Sequence, residues 1–277
     1  MVKMSTVWDR TAEFLSDNIG TIVPVALIAF FVPASISGNF EAVFLTATPG
    51  VMLALRLVQL AFAILSVWGS LIITAMALEN PTGEPAPKIA RRRLLPTLAV
   101  SVVLGIVMIA LTLPAPLFLA ASGYDLTAIA RGEMVAITPA AASFVWIYFL
   151  LLMIIFIWVG ARLIVTTPVI VREERMFDAI PQSWRLTRGS TWRIIGVLIL
   201  FALVATVSAL AANTVFGSIF ALVAGGGEGG ISLAGVLTSI VTAAVQTAFQ
   251  VLLPAFTAKL YLALSAQADR RTHVPTP

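Results

Sequence analysis

The sequence predicts an all-α polytopic membrane protein: a bundle of six transmembrane helices with cytoplasmic interfacial amphipathic helices and a threefold repeat of hairpins. Three observations lead there. Hydrophobic residues make up 60% of the 277 and charged residues only 11%, with a mean hydropathy of +1.02, too apolar for a soluble fold. Apolar segments near 21–37, 51–77, 96–121, 140–171, 192–222 and 232–266 have the length that crosses a bilayer. The basic residues also partition. Lys3 and Arg10, Lys88 and Arg91 to Arg93, the five arginines of 172–193, and Arg270 and Arg271 fall on one side, and only Arg131 clearly on the other. That asymmetry places both termini in the cytoplasm.

The first segment follows a stretch carrying Asp9, Glu13 and Asp17, a poor signal-peptide n-region, so it is expected to stay as a helix. Pro24 and Pro33 predict a kink in it, and Pro114 and Pro116 another in the third span. The carbonyls freed there need hydroxyls or neighbouring helices as partners. The 140–171 run is overlong for one crossing, and Pro168 is its expected bend. Amphipathic stretches precede three outward spans. In the first, Trp8, Leu15 and Ile19 form the apolar stripe; the second is Lys88 to Leu95; in the third, Phe177, Ile180 and Trp184 do so. Asp178 and Ser190 stand where N-caps belong, and Gly189 ends the third stretch. Such helices lie in the headgroup plane. The inward spans end alike, as Gly69-Ser-Leu, Gly160-Ala-Arg-Leu and Thr257-Ala-Lys-Leu, hence the expected repeat. Residues 225–230 read as a glycine-rich hairpin on the outer face, and 267–277 as a disordered cytoplasmic tail.

Candidate chemistry is sparse. Cysteine is absent and the one histidine is His273, so no cofactor and no metal site is expected. No Asp or Glu lies inside a span, which disfavours proton-coupled transport. The pI near 10.0 reflects loops flanking apolar spans, so the expected partners are membrane lipids with anionic headgroups, and proteins, not nucleic acid. Within the runs, Arg56, Arg162 and Lys259 admit two readings. They snorkel to the boundaries, or Arg162 and Lys259 join Arg185, Arg188 and Arg193 in holding an anionic lipid or solute. Thr242, Gln246 and Gln250 recur at four-residue spacing and read either as a polar groove or as interhelical hydrogen-bonding groups.

Residues 168–196 carry a recognisable pattern: Pro168 and Glu173, then Ser183-Trp184, Leu186-Thr187 and Gly189, then Trp192 and Gly196, with Pro254 and Tyr261 in the last span. It resembles the bacterial membrane-domain family of glycerophosphoryl diester phosphodiesterases. Where that family usually has Asp-Leu-Arg after the tyrosine, this chain has Ala263-Leu-Ser. In the family's enzymatic members a separate soluble barrel carries the metal-binding histidines and acids. These 277 residues hold no such barrel, so no phosphodiesterase activity is expected of them. The resemblance implies a bacterial inner-membrane module linked to envelope phospholipid metabolism. Two functions stay open: a non-catalytic module binding lipid or partner proteins, and a transporter or flippase for a lipid-like or anionic solute.

Overall fold

The computed structural model describes residues 2–40, 43, 47–79, 83–131, 133–224 and 233–272; the glycine-rich segment and His273 lie outside them. The described residues form six helical segments long and apolar enough to cross a membrane. Helix α1 (Met4–Asp17) leads into the first span, which is α2 (Ile19–Ala26), a π-turn at Leu27–Phe31 and α3 (Val32–Ser37). The second span is α4 (Pro49–Ala77), and the third is α5 (Ala86–Thr112) continued by α6 (Pro114–Ala121). A short α7 (Leu126–Ala130), capped by the Asp125 carboxylate, precedes the fourth span. That span is α8 (Pro139–Leu163) followed by α9 (Thr166–Glu173). Helix α10 (Ala179–Leu186) precedes the fifth span, which is α11 (Thr191–Ala211), a π-turn at Ala212–Phe216 and α12 (Gly217–Ala224). The sixth is α13 (Leu233–Thr272).

Proline places the distortions. Pro33 has no N–H to offer the Ala29 carbonyl four residues back. The first span relaxes there into a π-turn, and Ser66 Oγ of α4 donates to that carbonyl at 2.9 Å. The hydroxyl expected at the kink is therefore present. Close approach of the two helices makes it possible: a Cβ on Gly69 would come within 3.0 Å of Ala29 Cβ. In the fourth span the break falls at Ile164–Val165, between α8 and α9, because the Pro168 ring excludes the Ile164 carbonyl from its helical place. In the third, helix α5 yields to α6 at Leu113, and Tyr148 donates its hydroxyl to the Leu111 carbonyl.

The core lies at the end carrying the basic stretches. There α4 is buried all round from Leu71 to Ile73 and again at Ala77 and Leu78. It packs with Val169 and Ile170 of α9 and with Ala255, Phe256, Leu260 and Leu264 of α13. The opposite halves of the spans expose apolar side chains; in the third, fourth and fifth only 11% of each window is buried. Such surface is compatible only with lipid around it. At ~1.5 Å per residue, the 40 residues of α13 reach about 60 Å, twice the ~30 Å hydrocarbon core. Before its polar last turns, Ala255 to Leu264 form an apolar post, and the amphipathic helices pack on that post.

This changes four expectations. The buried stripe of α1 is Val7, Thr11 and Phe14, and Ile19 is 62% exposed. Trp8 meets Phe256 of α13 at 4.8 Å between ring centroids, so the helix faces protein and not lipid. Helix α10 likewise buries Ala179 and Ser183. The middle stretch Lys88–Leu95 is no separate interfacial helix but the first turns of α5, since neither glycine nor turn separates it from the span. Residues 267–272, expected to be disordered, continue α13, because Ala266, Gln267 and Ala268 prolong a helix readily. Asp178 and Ser190 occupy the residues before α10 and α11, but neither side chain makes a capping hydrogen bond.

Candidate functional site

The polar side chains of the basic end assemble into two clasps. In the first, α8 meets α10. Arg162 lies beside two indoles packed edge-on at 5.0 Å, its guanidinium carbon 5.3 Å from the Trp158 ring centroid and 5.2 Å from that of Trp184. Its Nη1 donates to the Trp184 carbonyl at 3.2 Å. In return Ser183 Oγ and Thr187 Oγ1 donate to the Arg162 carbonyl at 2.8 Å and 3.3 Å, a group released by the break before Pro168. The planar guanidinium suits this slot, where it stacks and donates at once.

The second clasp joins α4, α9, α10 and α13 around glutamates. Glu173 Oε1 accepts from the Tyr261 hydroxyl at 2.9 Å and from Gln182 Nε2 at 3.4 Å, while Arg175 Nε sits 3.1 Å from Oε2. Arg172 Nη1 donates to the Leu78 carbonyl at the end of α4, at 3.5 Å. Lys259, 6% exposed, pairs with Glu79 at 2.5 Å and lies 5.1 Å from the Phe14 ring centroid. Glu174 pairs with Arg92 and Arg93 of α5. Glu79 and Glu174 both hold left-handed backbone, at φ 49° and 58°, just beyond the second and fourth spans. The hydrogen bond from Lys259 holds the Glu79 carboxyl below its ordinary value, and that from Arg93 does the same for Glu174.

Thus Arg162 and Lys259 do not form one anion site. Each is engaged within its own clasp, and Lys259 does not snorkel to water. Arg185 and Arg188 are exposed on α10 and α10's exit, with no ion-pair partner among the described residues. Arg193 is exposed too, and its Nη1 donates to the Val2 carbonyl at 3.4 Å. Trp192 beside it is 81% exposed. Thr242 and Gln246 face a cleft away from the basic end, and Gln250, one turn on, lies off it. Arg56, near the start of α4, donates to Gln59 at 3.1 Å.

Most residues of the family pattern belong to the clasps, and exposed Trp192 stands outside them. Glu173, Ser183, Trp184, Thr187 and Tyr261 make the contacts above, Pro168 sets the break that frees the Arg162 carbonyl, Leu186 packs on the core, and Gly189 takes φ +90° where the chain turns into α11. The family model for the membrane domain of glycerophosphoryl diester phosphodiesterase matches residues 139–277, half the chain. The chain belongs to this family. No curated protein and no solved structure matches it. Within the membrane-domain family match lie the last three spans and the whole of α10. The partners that complete the clasps from outside it, Glu79, Arg92 and Arg93, escaped sequence reasoning. Their pairing crosses 180 and 82 residues, and a charge beside a loop gives no hint of such reach. Trp158 was within reach, because it precedes Arg162 by one helical turn.

Proposed function

We propose that the protein is a non-catalytic integral membrane module whose basic end lies in the cytoplasm of a bacterial inner membrane and binds anionic lipid headgroups. One observation carries this reading. Arg185 and Arg188 stay exposed and without ion pairs among the described residues, while the cations around them are engaged inside the fold. They stand beside exposed Trp192 and Phe177, at 81% and 50%. Aromatic and basic side chains at one level are what a headgroup layer receives. The carboxylates of the junction, Glu79, Glu173 and Glu174, all bond within the chain. The same engagement counts against carriage of an anionic solute through Arg162 and Lys259. Docking of a protein partner on this face, and a role in envelope phospholipid metabolism, are consistent extensions of the reading.

The test is lipid enrichment around the purified protein. In nanodiscs of phosphatidylglycerol and phosphatidylcholine in equal parts, native mass spectrometry should show the anionic lipid retained preferentially. Arg185→Gln with Arg188→Gln should reduce that preference about thirtyfold, at about 1 kcal/mol per basic residue. Equal retention of the two lipids by the unaltered protein sinks the reading.

A further inference from the structure

Away from the basic end, α3, the second π-turn with α12, and α13 enclose a cleft of about 480 Å³. Small residues open it: Gly38, Gly217 and Gly235 lie on its three walls. Its polar lining is Asn213, Thr238, Ser239, Thr242 and Gln246, and among the described residues no charged side chain lines it. Depth follows from α13. Gln246 precedes Lys259 by 13 residues, about 20 Å of helix, while Gly38 and Gly235 stand at the far ends of the first and sixth spans, so the cleft runs from the far boundary down to Gln246 at hydrocarbon depth. An amide exposed at that depth is costly unless it meets water or a ligand. Asn213 and Gln246 are both exposed, and neither side chain has a hydrogen-bond partner among the described residues. Thr242 Oγ1 is buried and also unpartnered. Asn213 sits within the π-turn Ala212–Phe216, a distortion that proline does not explain, since none follows it in α12. π-Turns of that kind are frequent at functional sites.

We infer that this cleft binds an uncharged, hydroxyl-rich group, the headgroup of a neutral glycolipid or a free polyol. Amides and hydroxyls offer donors and acceptors together, which a polyol matches one for one. An ionic group would lie at membrane depth with no counter-charge on the walls and would meet the desolvation penalty uncompensated. The site is separate from the cations of α10, and its test separates from theirs.

The full chain is placed in nanodiscs of monoglucosyl diacylglycerol, phosphatidylethanolamine and phosphatidylglycerol, and retained lipid is read by native mass spectrometry. Labelled sorbitol is offered separately by equilibrium dialysis. The glucolipid should be retained over phosphatidylethanolamine, and Gln246→Leu should weaken it about tenfold, as loss of a hydrogen-bonding partner does. Asn213→Leu, on the opposite wall, should do the same, so the result does not hang on one variant. Phosphatidylglycerol retained at the basic end should not change. Sorbitol binding without glucolipid retention, lost in the same variants, identifies the free polyol as the source. Binding of neither probe, equal retention of phosphatidylethanolamine, or glucolipid retention unchanged in both variants overturns the inference.

Discussion

Gly69 and Ser66 stand one turn apart on α4 and settle how the first hairpin closes. Any side chain at 69 would collide with Ala29, and the hydroxyl at 66 serves the carbonyl that Pro33 strands. Gly69→Val should therefore cost about 1–3 kcal/mol through overpacking. Ser66→Ala should cost about 1 kcal/mol, since a buried acceptor loses its donor. Thermal unfolding in detergent ranks them, and a milder effect for Gly69→Val contradicts the close approach. At the other end, Lys259 is buried and its partner Glu79 is 74% exposed. Removing the exposed partner leaves a buried cation alone, whereas Lys259→Met replaces it with an apolar chain of similar size. Glu79→Ala should thus destabilise by on the order of 1–2 kcal/mol, below the figure for a wholly buried pair because of that exposure. Lys259→Met should do less. The opposite order would remove the pair from the account.

Among the elements, the break between α8 and α9 has the widest consequences. It releases the Arg162 carbonyl, which α10 captures through Ser183 and Thr187, and it turns Glu173 toward Tyr261. Arg162→Lys keeps the charge but loses the planar guanidinium beside the indoles and its Nη1 donor to the Trp184 carbonyl. It should lower the melting temperature nearly as much as Arg162→Ala, and full retention of stability by the lysine variant would refute the clasp. The second clasp predicts a pH response. Glu79 and Glu174 are held below their ordinary 4.5 in the fold, so the folded state binds fewer protons than the unfolded one there. Their contribution is complete above about pH 4.5 and is lost as pH falls through the lowered values. Melting temperature measured downward from pH 6 should be flat and then fall below that point, and Lys259→Met should blunt the fall. Much of this was legible in advance: Pro168 announced a bend, and Trp184 and Arg162 stood out singly. That they meet was not, because α10 reads as a lipid-facing amphipathic helix until the overlong α13 gives its apolar face a protein surface.

For the whole molecule, span number was readable because length and hydropathy are local properties of the chain. Placement of the core at one end was not. It arises where α4, α9 and α13 converge, and apolar spans advertise no difference between a lipid-facing and a protein-facing side chain. The basic end is thus the packed end and the end that carries the family pattern. The proposed contact with anionic lipid puts it in the cytoplasm. Because the sequence contains no cysteine, single cysteines report sidedness cleanly. Arg188→Cys and Met134→Cys, one at each end and both exposed, should be made in intact bacterial cells and probed with a membrane-impermeant maleimide. Labelling of position 134 alone, with 188 reacting only after the cells are opened, is the predicted result. Labelling of position 188 in intact cells would contradict it.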